Sequence, residues 1–438
     1  MARSLAEWLA LQEAVHPKSI DLELTRVAAV ARRLGIERPR SAVITVGGTN
    51  GKGSTVAHLE ALLLAAGRSV GLFTSPHFLR YNERIRIDGA EADDAGIIEA
   101  FERIEAARGA ITLTYFEYNA LAALYLFAEG KVEFALLEVG LGGRLDATNI
   151  IDADVSVVCS VGFDHRDWLG QTLEQIGTEK AGIFRSGRPA VLGTARMPVS
   201  VHSAIQRLGA KPVMAERDFT WQVQPAAAGE GRWSYQGLRL RLTDLPPSAL
   251  AGSIQYRNAA TALAALEALA ADGEQSATGE QVVAALDPRT VAAALRRVWL
   301  AGRFQIVPGP VEWILDIAHN PPAAEVLASE LKERPCQGRT LAVVGILGDK
   351  DAPAIGAALA PAVERWFLCS LEGPRGIAAA ELARRLQAVV HQPTLAASVC
   401  EGCEAARAAA RAGDRVVVCG SFHTVGPALE WLGVYSKG

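Results

Sequence analysis

A glycine-rich turn near the start of the chain carries the strongest chemical signal in the sequence. The run VITVGGTNGKGSTVAHLE begins at Val43 and joins a β-branched strand pattern to a helical pattern. Backbone N–H groups and the dipole at a helix start favour a bound phosphate. Lys52 can reach terminal phosphates, while Gly48, Gly51 and Gly53 allow close backbone approach. The pattern therefore predicts a nucleotide-phosphate loop rather than a turn without chemistry.

The loop departs from the common G-x-x-x-x-G-K-[ST] pattern in two ways. Val46 stands at the first glycine position, and Gly53 separates Lys52 from Ser54, which displaces the usual Mg²⁺-binding hydroxyl. Both departures resemble the loop of the Mur-ligase superfamily, and within it the dihydrofolate synthase/folylpolyglutamate synthase family. The resemblance implies that the loop binds ATP through Thr49, Asn50, Gly51, Lys52, Gly53 and Ser54.

Three polar residues lie at or just after the ends of strand patterns, where ligand sites of open α/β sheets occur. They are Ser75 in FTSPHF, Glu138 in LLEVGLGGRLDATN and His165 in GFDHRDWLG. A carboxylate in an apolar strand must be paired or bind a cation. Taken singly, Ser75 is typical of a turn and His165 of a structural histidine. The resemblance implies that all three bind magnesium, with two ions expected. For His165 this rests on the family alone, because Mg²⁺ prefers oxygen.

Lys180 lies in EKAGIFR, a segment that by itself is typical of a charged surface helix. The resemblance implies that Lys180 is catalytic and that its amine can be carbamoylated near the metal. It further implies amide ligation, in which a carboxylate attacks the γ-phosphate of ATP and an amine then displaces phosphate from the acyl phosphate. Lys52 and Mg²⁺ would neutralise the phosphate charge. The sequence has no G-x-S-x-G elbow, so it gives no sign of a serine nucleophile.

The elements that position these residues alternate between strands and helices. FALLEVG (from Phe134) and VSVVCSVG (from Val155) are apolar almost throughout, which predicts a mainly parallel sheet covered by helices. The stretch 217–245 alternates between apolar and polar residues and predicts antiparallel hairpins. We therefore predict an α/β fold with two domains. Residues 1–299 form a P-loop-type domain, similar to the Mur-ligase central domain, that binds ATP and pterin. Residues 300–438 form a smaller Rossmann-like domain that closes over ATP and glutamate.

Polar residues in the second half match the family in their order along the chain. AGRFQ supplies Arg303, ILDIAHNPP supplies Asp316 and His319, and QYRNAATAL supplies Asn258. Alone, Asn258 indicates a helix cap and Arg303 a surface ion pair. The resemblance implies ATP contacts for Asn258, Arg303 and Asp316, and a catalytic place near the phosphates for His319. It also implies glutamate or nucleotide contacts for Asp349, Lys350, Asp351, Ser421 and His423.

The resemblance also implies a pterin site built from three segments. Tyr115 and Phe116 can stack on a flat ring, and a carboxylate can accept from pterin N–H groups. From its apolar spacing alone, TYFEYNALAAL indicates the start of a core helix. The family usually has glycine where this chain has Glu23. The implied pterin residues are Ile20, Asp21, Leu22, Glu23, Thr114, Tyr115, Phe116, Glu117, Leu145, Asp146 and Ala147.

The expected function is ATP-dependent addition of L-glutamate to dihydropteroate and to reduced folates. Three alternatives stay open: folylpolyglutamate synthesis alone, a muropeptide ligase, and a nucleotide-binding regulator without chemistry. The sequence leaves little room before the phosphate loop for the UDP-sugar domain of a muropeptide ligase. A regulator should lack some of Glu138, His165, Lys180 and Asp316, all of which are present.

The composition of the chain restricts the class of protein, its partners and the compartment that we expect. The chain has 438 residues and a net charge of −4; half of it is hydrophobic, which excludes a disordered chain. The charge argues against nucleic acid as a partner. The six cysteines, including the lone Cys400-x-x-Cys403, indicate structural thiols in a reducing compartment. Without a signal-peptide pattern or a membrane-spanning run, we expect a cytoplasmic protein with no membrane partner. The family implies a monomer.

Overall fold

The computed structural model describes residues 3–16, 18, 20–224, 231–271 and 275–435. The chain divides into two compact units. The first comprises Met1–Val161, Trp168–Ser248 and Tyr256–Val298, and the second comprises Gly162–Asp167, Ala249–Gln255 and Trp299–Gly438. Two short segments thus group with the second unit although they lie far upstream in the sequence.

The first unit is built around a sheet with helices on both faces. Two of its helices, Arg166–Leu169 and Ile254–Ala271, begin in segments that group with the second unit. In chain order the elements are α1 (Leu5–Val15), α2 (Thr25–Leu34), β1 (Ala42–Gly47), α3 (Lys52–Ala65), β2 (Val70–Phe73), β3 (Ile85–Ile87), β4 (Ala90–Glu91), α4 (Asp94–Arg108), α5 (Tyr115–Glu129), β5 (Phe134–Glu138), β6 (Val155–Val158), α6 (Arg166–Leu169), α7 (Leu173–Ala181), β7 (Pro189–Leu192), α8 (Val199–Leu208), β8 (Lys211–Met214), β9 (Thr220–Gln224), β10 (Arg232–Gln236), β11 (Arg241–Leu245), α9 (Ile254–Ala271), α10 (Ser276–Ala285) and α11 (Pro288–Arg297).

The main sheet has the strand order β4-β3-β2-β5-β1-β6-β7-β8. Strands β2, β5, β1, β6, β7 and β8 pair in parallel, and β3 and β4 add antiparallel strands at one edge. In β1, Ile44 and Val46 enter one core cluster while Val43 enters another, so this strand is buried on both faces. The predicted mainly parallel sheet is confirmed, and the carboxyl ends of β1, β2, β5 and β6 meet at one edge.

A separate antiparallel sheet, β11-β10-β9, confirms the predicted hairpins. Trp233 and Tyr235 of β10 are buried in the same core cluster as α9. Glu267 of α9 is fully buried and accepts from the Tyr235 hydroxyl at 2.5 Å. It also accepts from three backbone N–H groups of the turn between β10 and β11, those of Leu238, Arg239 and Leu240. One buried carboxylate therefore fastens the hairpin to the helix.

The second unit contains β12 (Gln305–Val307), β13 (Glu312–Leu315), α12 (Pro321–Glu333), β14 (Thr340–Val344), α13 (Ala352–Leu359), β15 (Arg365–Cys369), α14 (Ala379–Leu386), β16 (Thr394–Ala396), α15 (Val399–Ala409), β17 (Arg415–Cys419) and α16 (Phe422–Trp431). Its sheet has the order β12-β13-β17-β14-β15-β16 and is parallel except for the edge strand β12. The strand-like runs VEWILDIA, TLAVVGIL, RWFLCSL and DRVVVCGS predict β13, β14, β15 and β17 from the sequence. The sequence did not reveal β12 and β16, whose three residues each are too few to show a period. Within the described ranges, no helix has the length and apolar character to cross a membrane.

Candidate active site

The glycine-rich segment forms the predicted strand–turn–helix. Strand β1 ends at Gly47, and Gly51 is the N-cap of α3. Gly48 has φ 138° and Gly51 has φ 91°, both in a region that side chains with a Cβ rarely adopt. A Cβ on Gly51 would lie 3.1 Å from Oδ1 of Asn258, so the side chain of Asn258 lies against the helix start. The predicted ATP-binding residues Gly51 and Asn258 are thus neighbours.

The end of β6 holds the loop in place. The N–H of Thr49 donates to the carbonyl of Ser160 at 2.8 Å. The N–H of Asn50 donates to Oγ of Ser160 at 3.1 Å, and that hydroxyl donates back to the Asn50 carbonyl at 2.9 Å. Ser160 was not predicted from the sequence. Its only signal was a small polar residue at the end of the apolar run that forms β6.

Two lysines from distant segments donate to the same oxygen in this loop. Lys52 Nζ lies 3.1 Å from the Gly48 carbonyl oxygen and 3.3 Å from that of Thr49. Lys180 Nζ also lies 3.1 Å from the Gly48 oxygen, and the Lys180 side chain is buried. Two like charges this close repel each other, and an anionic ligand on the loop would stabilise both. This concentration of positive charge suits a polyphosphate.

Glu138 ends β5 beside β1 and is only 4% exposed. Its Oε2 accepts a hydrogen bond from the Thr74 hydroxyl and lies 3.4 Å from the backbone N of Ser75. The structure thus brings together the predicted metal ligands Ser75 and Glu138. A buried carboxylate beside a hydroxyl offers the hard oxygen donors that Mg²⁺ prefers, so the residues present fit the ion. Thr74, which directly precedes Ser75, was not predicted as a site residue from the sequence.

His165, the third predicted metal ligand, groups with the second unit. Its φ of 50° is left-handed, a strained conformation that clusters at functional sites. Its backbone N–H donates to Oδ1 of Asp164 at 2.8 Å, which stabilises this conformation.

Asp164 joins several polar residues of the second unit. Its carboxylate accepts from Lys350 Nζ at 2.6 Å and from Asn320 Nδ2 at 3.0 Å, and lies 3.4 Å from Nε2 of His319. Burial acts to raise the pKa of Asp164, but the hydrogen bond from His319 and the charges of His165 and Lys350 hold it well below its usual range. The ionised carboxylate therefore fixes Lys350 and His319, which were both predicted site residues.

Asp316 and Arg303 lie near each other in the second unit. Asp316 accepts from the backbone N–H groups of Phe304 and Ala318, each at 2.8 Å. Burial raises the pKa of Asp316, and those two hydrogen bonds and the charge of Arg303 oppose the shift. The Arg303 guanidinium stacks over the Phe422 ring at 5.3 Å. Their predicted contacts with ATP stay predictions.

The residues predicted to contact glutamate or nucleotide have different surroundings in the structure. Asp349 lies 3.8 Å from Lys350. Asp351 and Ser421 are N-caps, of α13 and α16 respectively, so each already has a structural role. Burial lowers the pKa of His423, and the positive charge of Arg375 adds to the shift.

Two of the three predicted pterin segments, 114–117 and 145–147, contribute to one core cluster of the first unit. Thr114 caps α5, and Tyr115 and Phe116 are partly buried against the cluster that contains Ala147. The rings of Phe116 and Phe73 lie 5.7 Å apart. TYFEYNALAAL is therefore a helix start packed on the core, as its apolar spacing indicated, and it lies near the turn 145–147.

Two predicted pterin carboxylates are engaged within the protein. Asp146 is buried and accepts from Leu141 N at 2.8 Å and from the Thr148 hydroxyl at 2.6 Å. Burial raises its pKa, and these hydrogen bonds oppose the rise. Glu117 completes a capping box, since its Oε2 accepts from Thr114 N at 2.6 Å. The sequence did not show these internal partners.

Comparison with known proteins decides the family. Residues 46–197 match the Mur ligase middle domain, and residues 302–422 match the Mur ligase glutamate ligase domain. The dihydrofolate synthase/folylpolyglutamate synthase of Escherichia coli K12 is 44% identical over 437 residues, covering 100% of this chain and 97% of the relative. The chain belongs to the dihydrofolate synthase/folylpolyglutamate synthase family. The folylpolyglutamate synthase of Lacticaseibacillus casei is 31% identical and covers 80% of this chain and 82% of its own.

Solved structures of this family share the fold. E. coli FolC in complex with DHPP and ADP has a TM-score of 0.90 at 44% identity, covering 99% of this chain and 98% of its own. A bifunctional folylpolyglutamate synthase/dihydrofolate synthase with Mn, AMPPNP and L-glutamate bound has a TM-score of 0.87 at 41% identity, covering 98% of each chain. The resemblance inferred from the loop and the strand-end motifs is confirmed.

Proposed function

We propose that this chain uses ATP to add L-glutamate to dihydropteroate, giving dihydrofolate, and to reduced folates, extending their glutamate chain. Full-length similarity to a relative named for both activities supports the proposal. So do relatives solved with ADP and DHPP, and with AMPPNP, Mn and L-glutamate. Mg²⁺ is the expected ion, and two ions are proposed.

The observation that carries the proposal is the pair of lysines on the Gly48 carbonyl, with Glu138 and Ser75 at the same sheet edge. When nucleotide is bound, Lys52 neutralises charge on the terminal phosphate and the loop N–H groups hold it in place. Glu138 and Ser75 would hold the magnesium, which supplies further charge neutralisation for phosphoryl transfer.

The chemistry needs positioning more than a protein nucleophile. The substrate carboxylate attacks the γ-phosphorus, the bond from that phosphorus to the bridging oxygen breaks, and ADP leaves. The glutamate ammonium first loses a proton to solvent, and the free amine attacks the acyl carbon. The bond from that carbon to the phosphate oxygen breaks, phosphate leaves, and the nitrogen loses its second proton as the amide forms. These two reaction steps agree with a site made of lysines, carboxylates and backbone N–H donors.

Lys180 is proposed to act as a carbamate. Its buried ammonium faces the same oxygen as Lys52, and converting it to an anion would remove the repulsion between them. We also propose a monomer in the cytoplasm. All six cysteines are free, which fits a reducing compartment.

The test is ADP release with ATP, Mg²⁺ and L-glutamate, comparing dihydropteroate, tetrahydrofolate and no pterin. Release with both pterins, and products one glutamyl residue heavier by mass spectrometry, is expected. Release with tetrahydrofolate alone would remove the dihydrofolate synthase activity. ADP release only with a muropeptide precursor would favour the muropeptide ligase. No ADP release with any of these substrates would favour the nucleotide-binding regulator.

Glu138→Ala tests the site within the same assay. We expect a loss of turnover of at least about 100-fold, because the variant lacks the carboxylate that would hold the magnesium, and the ion stabilises the charge on the transferred phosphate. Glu133→Ala is the matched control, since Glu133 lies just before the same strand and is exposed, pairing with Arg68. Equal turnover in the two variants would contradict the assignment of Glu138.

A further inference from the structure

Arg26 of α2 ties together segments that lie far apart in the sequence. Its Nη1 donates to Asp21 Oδ2 at 3.2 Å and to Glu23 Oε2 at 3.0 Å. Its Nη2 donates to the Asp21 carbonyl and to Glu117 Oε1, both at 3.2 Å. One guanidinium thus holds the segment 20–23 against the start of α5. The Arg26 side chain is 16% exposed and that of Glu117 only 4%, so solvent screens this contact weakly.

The partners of Arg26 are themselves fixed. Asp21 Oδ2 lies 3.1 Å from Nε2 of His16, whose Nδ1 lies 2.9 Å from the Thr112 hydroxyl. Glu117 is held by the N–H of Thr114 through its other oxygen. Each carboxylate is therefore held both by Arg26 and by a second partner. The segment 20–23 therefore has a defined place relative to Tyr115 and Phe116.

Glu23 adds a further contact to Arg26. Its carboxylate is about half exposed and bonds only Arg26 among the described residues. A glycine at this position, which has no side chain, could not make this contact. Because the ion pair is largely exposed, its contribution is smaller than that of Glu117.

We propose that Arg26 is a positioning residue of the pterin end of the site, which sets the spacing between the segment 20–23 and the aromatic start of α5. This inference rests on the proposed function, since it assumes that a pterin binds between these segments. Arg26 acts through Asp21 and Glu117 and does not itself react. Its planar fork serves acceptors on two segments at once, which a lysine cannot do with the same geometry.

The test compares Arg26→Gln and Arg26→Lys with wild type. For Arg26→Gln we expect the KM for dihydropteroate to rise by about 10-fold or more, with kcat and the KM for ATP within about 2-fold, because binding and not chemistry is affected. Arg26→Lys should restore part of the loss. Glu23→Gly should raise the same KM by about 2-fold. Arg32→Gln, on an exposed position of the same helix, is the matched control and should change nothing.

Two outcomes would overturn the proposal. One is an unchanged KM for dihydropteroate in Arg26→Gln. The other is a parallel change in the KM for ATP, kcat and melting temperature, which would make Arg26 a residue of general stability only.

Direct binding of dihydropteroate, followed by calorimetry without ATP, separates this inference from the proposed function. If wild type binds dihydropteroate without turning it over, and Arg26→Gln binds it about 10-fold more weakly, the proposed function fails and the positioning role stands. If wild type turns over and Arg26→Gln binds equally well, the function stands and the positioning role fails. If wild type does neither, both fail.

Discussion

The pH dependence of stability should be strongly affected by His58, which lies in the first turns of helix α3, directly after the glycine-rich turn. His58 is fully buried; its Nδ1 lies 2.7 Å from the Ser54 carbonyl and its Nε2 lies 2.9 Å from the Ser248 hydroxyl. The neutral ring satisfies both contacts by donating to the carbonyl and accepting from the hydroxyl. Burial lowers the pKa of His58 from 6.5 to about 4, and the Ser54 carbonyl only partly opposes the shift.

The sign of the effect follows from linkage. The unfolded chain binds a proton at His58 near pH 6.5, whereas the folded chain resists it until about pH 4. The contribution of the neutral ring is therefore complete above pH 6.5 and is lost as the pH falls towards 4. Between pH 7 and pH 5 the loss amounts to about 2 kcal/mol, and over the whole window to about 3 kcal/mol.

The assay is urea denaturation at pH 7 and pH 5 of wild type and His58→Gln. The variant loses some stability at both pH values, so the informative quantity is the difference in pH dependence. Wild type should lose about 2 kcal/mol more than His58→Gln between the two pH values. His391→Gln, at an exposed histidine, is the control and should follow wild type. Parallel pH profiles for wild type and His58→Gln would refute the reasoning.

Three further predictions concern buried charges and the loop. Lys52→Ala should lower ADP release by at least about 100-fold with the melting temperature unchanged, and recovery by Lys52→Arg would count against a lysine-specific geometry. Glu267→Ala should lower the free energy of unfolding by about 3 kcal/mol or more, because the buried Tyr235 hydroxyl and three backbone N–H groups of the hairpin turn lose their acceptor. Glu280→Ala removes an exposed pair with Arg239 and should lower the free energy of unfolding by at most about 1 kcal/mol; urea denaturation measures both changes. A carbamate on Lys180 should give a ¹³C resonance with ¹³C-labelled bicarbonate that disappears in Lys180→Arg; its absence in wild type would contradict the modification.

The sequence alone determined the parts of the molecule that depend on local order. The strand–glycine turn–helix order determined the backbone of the glycine-rich turn, since only glycine readily adopts the φ values of Gly48 and Gly51. Apolar runs fixed the parallel strands, because burial on both faces leaves no room for alternation. The residue types and spacing of the motifs were enough to identify the family, which the comparisons confirm. The short strands β12 and β16 gave no such signal.

Only the tertiary structure decided which distant groups meet. It placed Lys180 on the same carbonyl as Lys52, although 127 positions separate them in the numbering. It joined Arg26 to Glu117 and fastened the hairpin to Glu267. The physical reason is that the sequence does not show whether a charged residue contacts water or another protein group. Its partner is determined when strands and helices pack, because a charge that is removed from water needs a hydrogen-bond or ion-pair partner.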